Sequence, residues 1–347
     1  MVRARAWCLV VGLWSASASA QSGPWIPGVP GPVRVPPGAI GRAPAGGGAT
    51  PGAPGQPVST TPGPLPAGAV DAQGMFVPGF LEAESAEILR ALVAALPSGK
   101  RERVDGIPFA FDRETTEVNA FAGCENGASF MAMTLPLARA IGHIAEAKAV
   151  EEQFGGQRVA AYDKLAADAV RADRPIPDPP PGFYAPNEAQ DPRKLARQRV
   201  VLDEAIAFVL GHELAHHYLG HTGCANGDRS RGIDPATLGR VASRAVPLFN
   251  QPNEAGADVS GTENLLDVGV SRPGGMTEGG ALLVLGFFGE LSRLTPSAVA
   301  LGFLRTHPPP QLRVPIVQTA ANAWRARKAS PLPFPSGLPF PFPLPGL

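Results

Sequence analysis

The chain has little cysteine, no excess of charge of either sign and no apolar run long enough to cross a membrane. Its 347 residues include 3 cysteines, and none has a second cysteine at zinc-ligand spacing, which argues against a cysteine-built zinc site. The 30 basic and 30 acidic residues balance without a basic block, so no nucleic acid or anionic membrane is predicted as a partner. Beyond residue 20, the most apolar stretch is 279–289, about half of a membrane span, so no integral membrane segment is predicted there.

The first 20 residues have the pattern of a secretory signal peptide. Two arginines precede the apolar stretch 6–14, and the small residues 18–20 provide a cleavage site before Gln21. The apolar core is too short to anchor the chain across about 30 Å of hydrocarbon. The sequence therefore predicts an exported protein that is periplasmic or secreted.

Proline and glycine are concentrated towards the two ends of the chain. Residues 21–74 are rich in Pro, Gly and Ala with few large apolar residues, which predicts a disordered or extended linker. Residues 329–347 are also rich in proline, with phenylalanines interleaved. This tail is predicted to be disordered or packed on the domain surface, and the alternative is a polyproline-type ligand for a partner. Residues 75–328 have a length that suits one folded domain.

Apolar periodicity within 75–328 predicts mainly helices with a small β-sheet, that is, an α+β fold. Strands are predicted at 107–111, 117–122 and 129–133, and the pair Asn126-Gly127 predicts a hairpin turn between the last two. Helices are predicted at 82–96, 135–154, 158–172, 200–219, 277–294 and 311–328, with another beginning near Glu254.

The most informative feature is the pentapeptide His212-Glu213-Leu214-Ala215-His216 within the apolar helical run 200–219. Residues four apart lie on one face of a helix, so both imidazoles can present a nitrogen to one cation. Glu213 lies beside them, where a carboxylate can take a proton from water whose pKa a zinc ion lowers to roughly 7. The alternative is a helix with several structural or surface histidines, an interpretation that fits His217 and His221 better than the pair.

A catalytic zinc ion usually has three protein ligands, so the histidine pair needs a partner. Glu254 is the candidate, and Asp258, four residues further on, can accept the free ring N–H of a ligand histidine. Without the upstream motif, the two acids would be interpreted as a solvated helix face. Gly256 and Gly261 each cost about 1 kcal/mol in a helix interior, so this helix is expected to be short or irregular.

Two further segments accompany these motifs in the sequence. The first is Asn119-Ala120-Phe121-Ala122, and the second is Thr306-His307-Pro308 followed by Arg313. The first segment precedes the His-Glu-x-x-His helix and the second follows the later Glu-x-x-x-Asp. The four motifs in this chain order resemble those of the zinc metallopeptidases of the HtpX and CAAX-prenyl-protease type, the gluzincin peptidase family M-forty-eight.

The resemblance implies a zincin-like metallopeptidase domain at 75–328 that holds one zinc ion. His212, His216 and Glu254 would be its ligands, Glu213 the general base, and Asp258 the carboxylate behind a ligand histidine.

The resemblance also implies a substrate cleft bordered by Asn119, Ala120 and Phe121, where an extended peptide could add to a sheet edge. His307 would stabilise the oxyanion or bind substrate, and the alternative is a histidine that caps the helix starting near Pro309. Arg313 would bind substrate or pair with a carboxylate near the site.

Cys124 and Cys224 are the cysteines that remain after signal-peptide removal. In an oxidising compartment they could form one disulfide between the predicted cleft strand and the loop after the motif helix.

These features predict an exported zinc endopeptidase that acts on protein or peptide substrates, unfolded or misassembled proteins among them. One alternative is a zinc-binding chaperone or assembly factor of the same fold with little or no proteolysis. Another is a scaffold whose zinc motif is accidental. A cleavage assay separates the first two, and absence of bound metal would favour the third.

Overall fold

The computed structural model describes residues 65–125, 127–224, 251–293, 302, 304 and 307–329. This part of the chain contains nine helices and a three-stranded sheet, so the prediction of a mainly helical chain with a small sheet is confirmed. The strands are β1 Phe109–Asp112, β2 Ala120–Glu125 and β3 Ala128–Thr134. The helices are α1 Pro78–Ala95, α2 Ser98–Val104, α3 Leu135–Phe154, α4 Arg158–Arg171, α5 Pro186–Ala189, α6 Pro192–Tyr218, α7 Gln251–Ser271, α8 Gly279–Ser292 and α9 Pro310–Ala329.

All seven predicted helices are present, most with ends displaced by a few residues. The largest displacement is in α6, which begins at residue 192 rather than 200 because the Asp191 side chain accepts hydrogen bonds from the first-turn amides of Arg193 and Lys194. The sequence predicted neither the four-residue α5 nor α2, in which Val104 is the one buried residue. A helix with one buried residue has no recurring apolar positions by which the sequence could reveal it.

The sheet has the order β1-β3-β2, with β1 parallel and β2 antiparallel to β3. Glu125 pairs with Ala128, which confirms the predicted hairpin, and Gly127 takes the positive φ of 78° that its turn requires. Asn126 lies outside the described residues. Among the described strands, β2 has a neighbour on one side, so its other side is an edge.

Helix α6 lies in the centre of the described part and packs against α1, α3, α7 and α8. Every residue from 201 to 215 on this helix is buried. The His-Glu-x-x-His motif therefore lies in the buried C-terminal part of a central helix, where its polar side chains need polar partners.

The packed region begins before residue 74, where the predicted linker ends. Ala69 is 3% exposed, and the Gly74 carbonyl accepts hydrogen bonds from the buried Lys194 and Gln198 side chains. Residues 1–64, which include the predicted signal peptide and most of the linker, lie outside the described residues, as do 330–347 of the predicted tail.

Helix α7 is continuous over 21 residues, so the expectation that its glycines make it short or irregular is wrong. A Cβ on Gly261 would lie 2.7 Å from the backbone nitrogen of His212, and one on Gly211 would lie 3.2 Å from the Gly261 carbonyl oxygen. These two glycines face each other where α6 and α7 cross. Their lack of side chains lets the helices approach closely, which outweighs the propensity cost.

Helix α8 contains the most apolar segment of the sequence and is a core helix, as predicted. Its buried residues include Val284, Leu285, Phe287 and Phe288. None of the helices in the described ranges is both long and apolar enough to cross a membrane.

Asp163 on α4 is a partly exposed carboxyl group whose Oδ1 is buried without a hydrogen-bond partner among the described residues. Burial, with the charges of Glu290 and Glu151, raises the pKa of Asp163 to about 6. The folded state therefore binds this proton more tightly than the unfolded state, and stability is lost as pH rises from about 4 to about 6. The full pKa difference corresponds to about 3 kcal/mol, which partial solvent exposure reduces to about 1 kcal/mol.

We expect Asp163→Asn to stabilise the fold by about 1 kcal/mol at pH 7.5, and the gain to vanish near pH 4, where the native carboxyl is also neutral. Urea unfolding of the metal-free protein at both pH values measures this. Asp168→Asn on the same helix is the control, because Asp168 has cationic partners in Lys164 and Arg171. A gain that persists at pH 4, or that Asp168→Asn shares, would contradict the assignment.

Candidate metal centre

Two turns of α6 and the first turn of α7 bring three candidate ligands together. His212 and His216 are four residues apart on one face of α6, and their Nε2 atoms are 3.1 Å apart. Glu254 Oε2 lies 3.4 Å from His212 Nε2, and Glu254 Oε1 lies 3.4 Å from His216 Nε2. The structure thus brings together the three residues that the sequence predicts as metal ligands.

The spacing and surroundings of these atoms fit a tetrahedral cation. Ligand atoms about 2.0–2.1 Å from a tetrahedral zinc ion are about 3.3–3.4 Å from one another. The two imidazole nitrogens are close to this separation, and Glu254 presents a different oxygen at 3.4 Å to each of them. Glu254 Oε2 is buried and has no hydrogen-bond partner among the described residues. Burial and the positive charge of His212 lower the pKa of His216 to about 3. Burial and the Arg313 charge also lower the pKa of His212, but the carboxylates of Asp258 and Glu254 outweigh them and raise it to about 9. The pair therefore carries one excess proton, on His212, which a bound metal ion would displace. The group could hold a metal ion.

His307 joins the same cluster. One nitrogen of its ring and one ligand atom from each of His212, His216 and Glu254 all lie within 4.8 Å of one another. The sequence predicted that His307 stabilises the oxyanion, binds substrate or caps a helix, and did not reveal it as a fourth candidate ligand. Spacing along the chain could not reveal it, because His307 lies outside α6 and α7. Thr306 of the same motif lies outside the described residues.

Glu213 points from α6 towards the edge of the sheet. The Ala122 N–H of β2 donates to Glu213 Oε2 at 2.8 Å, and His307 Nε2 lies 3.2 Å from Glu213 Oε1. Burial raises the pKa of Glu213, but the hydrogen bond and charge of His307, with the charge of His212, outweigh it and lower the pKa to about 2. Glu213 is therefore an ionised carboxylate at neutral pH, with both oxygens held.

Asp258 and Arg313 stand behind His212. Asp258 Oδ1 lies 2.9 Å from His212 Nδ1, and Arg313 donates to Asp258 through Nη2 at 2.6 Å and Nε at 3.0 Å. Burial raises the pKa of Asp258, but the Arg313 charge and the His212 hydrogen bond lower it below its usual range. The carboxylate can therefore accept His212 Nδ1–H, which leaves Nε2 to face the cluster. The prediction for Asp258 matches this geometry.

Arg313 is 1% exposed, and its guanidinium group lies on Asp258 rather than on a surface open to substrate. Of its two predicted roles, pairing with a carboxylate near the site is the one that the structure confirms. The substrate-binding role of Arg313 stays a prediction.

The predicted cleft strand contacts Glu213, but through Ala122 and not through the three residues predicted to border the cleft. Asn119, Ala120 and Phe121 are buried, and Phe121 packs edge-on against Phe130. Ala122, the next residue, contributes the N–H that contacts Glu213. The substrate-binding role of the first three residues stays a prediction.

The remaining two histidines of the motif region have different surroundings. His217 is buried, with Nε2 2.9 Å from the Phe130 carbonyl oxygen and Nδ1 3.1 Å from Thr222 Oγ1, so the structural interpretation of this residue is correct. His221 Nδ1, in contrast, lies 2.9 Å from His216 Nδ1. The sequence did not predict this contact, which depends on chain reversal at Gly220, where φ is 84°.

A disulfide joins Cys124 of β2 to Cys224, just after α6. This confirms the predicted link between the strand and the loop that follows the motif helix. The bond closes a sequence separation of 100 residues. It fixes the strand that contacts Glu213 relative to the end of the helix that carries it.

Comparisons of the chain with protein-family models, with curated proteins and with solved structures found no match. The residues of the cluster are therefore the basis for assigning a function.

Proposed function

We propose that this protein is an exported zinc-dependent endopeptidase with a zincin-like domain, and a distant member of the HtpX and CAAX-prenyl-protease type. The observation that carries the proposal is the buried triangle of His212, His216 and Glu254 with the ionised carboxylate of Glu213 beside it. A zinc ion bound to this triangle would polarise a substrate carbonyl group and lower the pKa of a water molecule.

Glu213 is the proton acceptor in this proposal. The Ala122 N–H holds one of its oxygens and His307 contacts the other, so the carboxylate has a fixed orientation beside the ligand triangle. It accepts the proton of the attacking water on a carboxylate oxygen and later gives it to the amine of the departing peptide. Its low pKa keeps it in the accepting form at neutral pH.

The substrate class that fits is an extended segment of a protein. Strand β2 pairs with β3 on one side, and its Ala122 N–H on the other side contacts Glu213. A peptide that runs along this outer side would place a peptide bond close to Glu213. Recognition by main-chain pairing selects weakly for sequence, which suits unfolded or misassembled protein substrates.

The test measures zinc content and cleavage of casein by the mature protein. We expect one equivalent of zinc, cleavage that a chelator abolishes and zinc restores, and loss of bound zinc in Glu254→Ala. Glu263→Ala on the same helix, whose side chain pairs with Arg327, is the control and should keep one equivalent. Absence of zinc from the native protein, or a full equivalent without any cleavage, would contradict the proposal.

A further inference from the structure

His216 has a ring partner that mirrors the role of Asp258 behind His212. His216 Nε2 faces the ligand cluster, and its Nδ1 lies 2.9 Å from His221 Nδ1. For Nε2 to offer a lone pair to a cation, the proton must be on Nδ1, where His221 Nδ1 can accept it. A ligand histidine held in this way keeps both its tautomer and its ring orientation.

The turn after α6 brings His221 back over His216. Gly220 reverses the chain with a φ of 84°, and the backbone N–H of His221 donates to the His216 carbonyl oxygen at 2.8 Å. The Thr222 side chain contacts His217 at 3.1 Å. These contacts hold the start of the turn against the end of α6.

The far end of the same turn is held by the β2–β3 hairpin. Ser129 Oγ donates to the Cys224 carbonyl oxygen at 2.6 Å, and the disulfide joins Cys224 to Cys124. The segment 219–224 is therefore fixed at one end by α6 and at the other by the sheet, with His221 between the two attachments.

We propose that His221 is a positioning residue for His216, and that the Cys124–Cys224 disulfide holds the turn so that this contact persists. This inference rests on the proposed function, since it requires a cation at the ligand cluster. Loss of a hydrogen-bond partner behind a ligand histidine typically weakens metal binding about 10- to 100-fold. The disulfide is thus a determinant of metal affinity as well as of fold stability.

The experiment measures the zinc dissociation constant of the full mature chain by competition with a chelating dye. His221→Phe keeps a ring of similar size but removes the acceptor, and should raise the dissociation constant about 10- to 100-fold. His221→Gln retains an acceptor oxygen and should recover most of the affinity. His143→Gln is the control, because His143 also has a ring partner, Asp178, and should change the affinity less than about twofold.

A second arm tests the disulfide with the variant Cys124→Ala/Cys224→Ala, which leaves no thiol to bind zinc. Its dissociation constant should rise about tenfold or more. Adding His221→Phe to it should produce little further change, because residues that act through one contact are not additive. The visible spectrum of the cobalt(II)-loaded proteins should change in His221→Phe and return towards the native spectrum in His221→Gln.

Three results would overturn the inference. One is native affinity in His221→Phe, and another is equal loss in His221→Phe and His221→Gln, which would assign the effect to packing. Additive effects of the cysteine pair and His221→Phe would overturn the role of the disulfide. Failure of the native protein itself to bind zinc would instead remove the proposed function, and this inference with it.

Discussion

Glu213→Gln should bind one equivalent of zinc and yet hydrolyse peptide bonds about 10²- to 10⁴-fold more slowly than the native protein, the usual contribution of a positioned general base. Glutamine has the size of glutamate, and its amide oxygen can still accept the Ala122 N–H that Glu213 accepts at 2.8 Å. It cannot accept a proton from water at neutral pH. The expected loss of kcat/KM corresponds to about 3–5 kcal/mol of transition-state stabilisation.

The measurement pairs zinc content with kcat/KM on a fluorogenic peptide, so that loss of metal and loss of the base are separated. Glu263→Gln, a partly exposed acid on α7, controls for the change from acid to amide and should keep native activity. Retention of more than a tenth of native kcat/KM by Glu213→Gln would remove this residue from the role of general base. Loss of zinc from the variant would show instead that the carboxylate supports the metal.

The sequence could predict the features that depend on local spacing. The four-residue separation places His212 and His216 on one helix face, and α3 has the predicted bounds because apolar residues recur along its whole length. Cys124 and Cys224 are the two cysteines beyond the predicted signal peptide, and therefore the two expected to pair. In each case, the physical constraint acts within one element or on a very small set of partners.

The features that the sequence could not predict arise where elements meet. Ala122 contacts Glu213 through a backbone N–H, so the identity of its side chain does not indicate the contact. His221 reaches His216 through a turn with a positive φ at Gly220. The approach of His307 to the ligand atoms depends on how the chain returns to α6, and no periodicity encodes that return. Contacts of this kind depend on packing between elements rather than on propensity.

Gly261→Ala should destabilise the fold by about 1–3 kcal/mol, whereas Gly256→Ala on the same helix should stabilise it by up to about 1 kcal/mol. At position 261 the new Cβ would lie 2.7 Å from His212 N and 3.0 Å from His212 Cα, and backbone atoms cannot rotate away. At position 256 the nearest atoms are 3.8 Å and 3.9 Å away, which is ordinary van der Waals contact, so the gain in helix propensity dominates.

The two variants should also differ in zinc affinity. Helix α7 carries Glu254 and Asp258, and displacing it from α6 moves both acids away from His212. Glu254 Oε2 is 3.4 Å from His212 Nε2. A helix shift of about 0.3 Å would exceed the tolerance of about 0.2 Å for metal–ligand distances. Urea unfolding without metal should show a loss of stability in Gly261→Ala, and zinc competition a loss of zinc affinity. Gly256→Ala should show neither loss.

Equal stability of the two variants would contradict close contact at the crossing. A loss of stability in Gly261→Ala with native zinc affinity would show that the metal centre tolerates separation of the two helices. Glycine at position 261 has a low helix propensity, but this cost is offset by the short α6–α7 distance that it permits. That distance brings the acids of α7 to the histidines of α6.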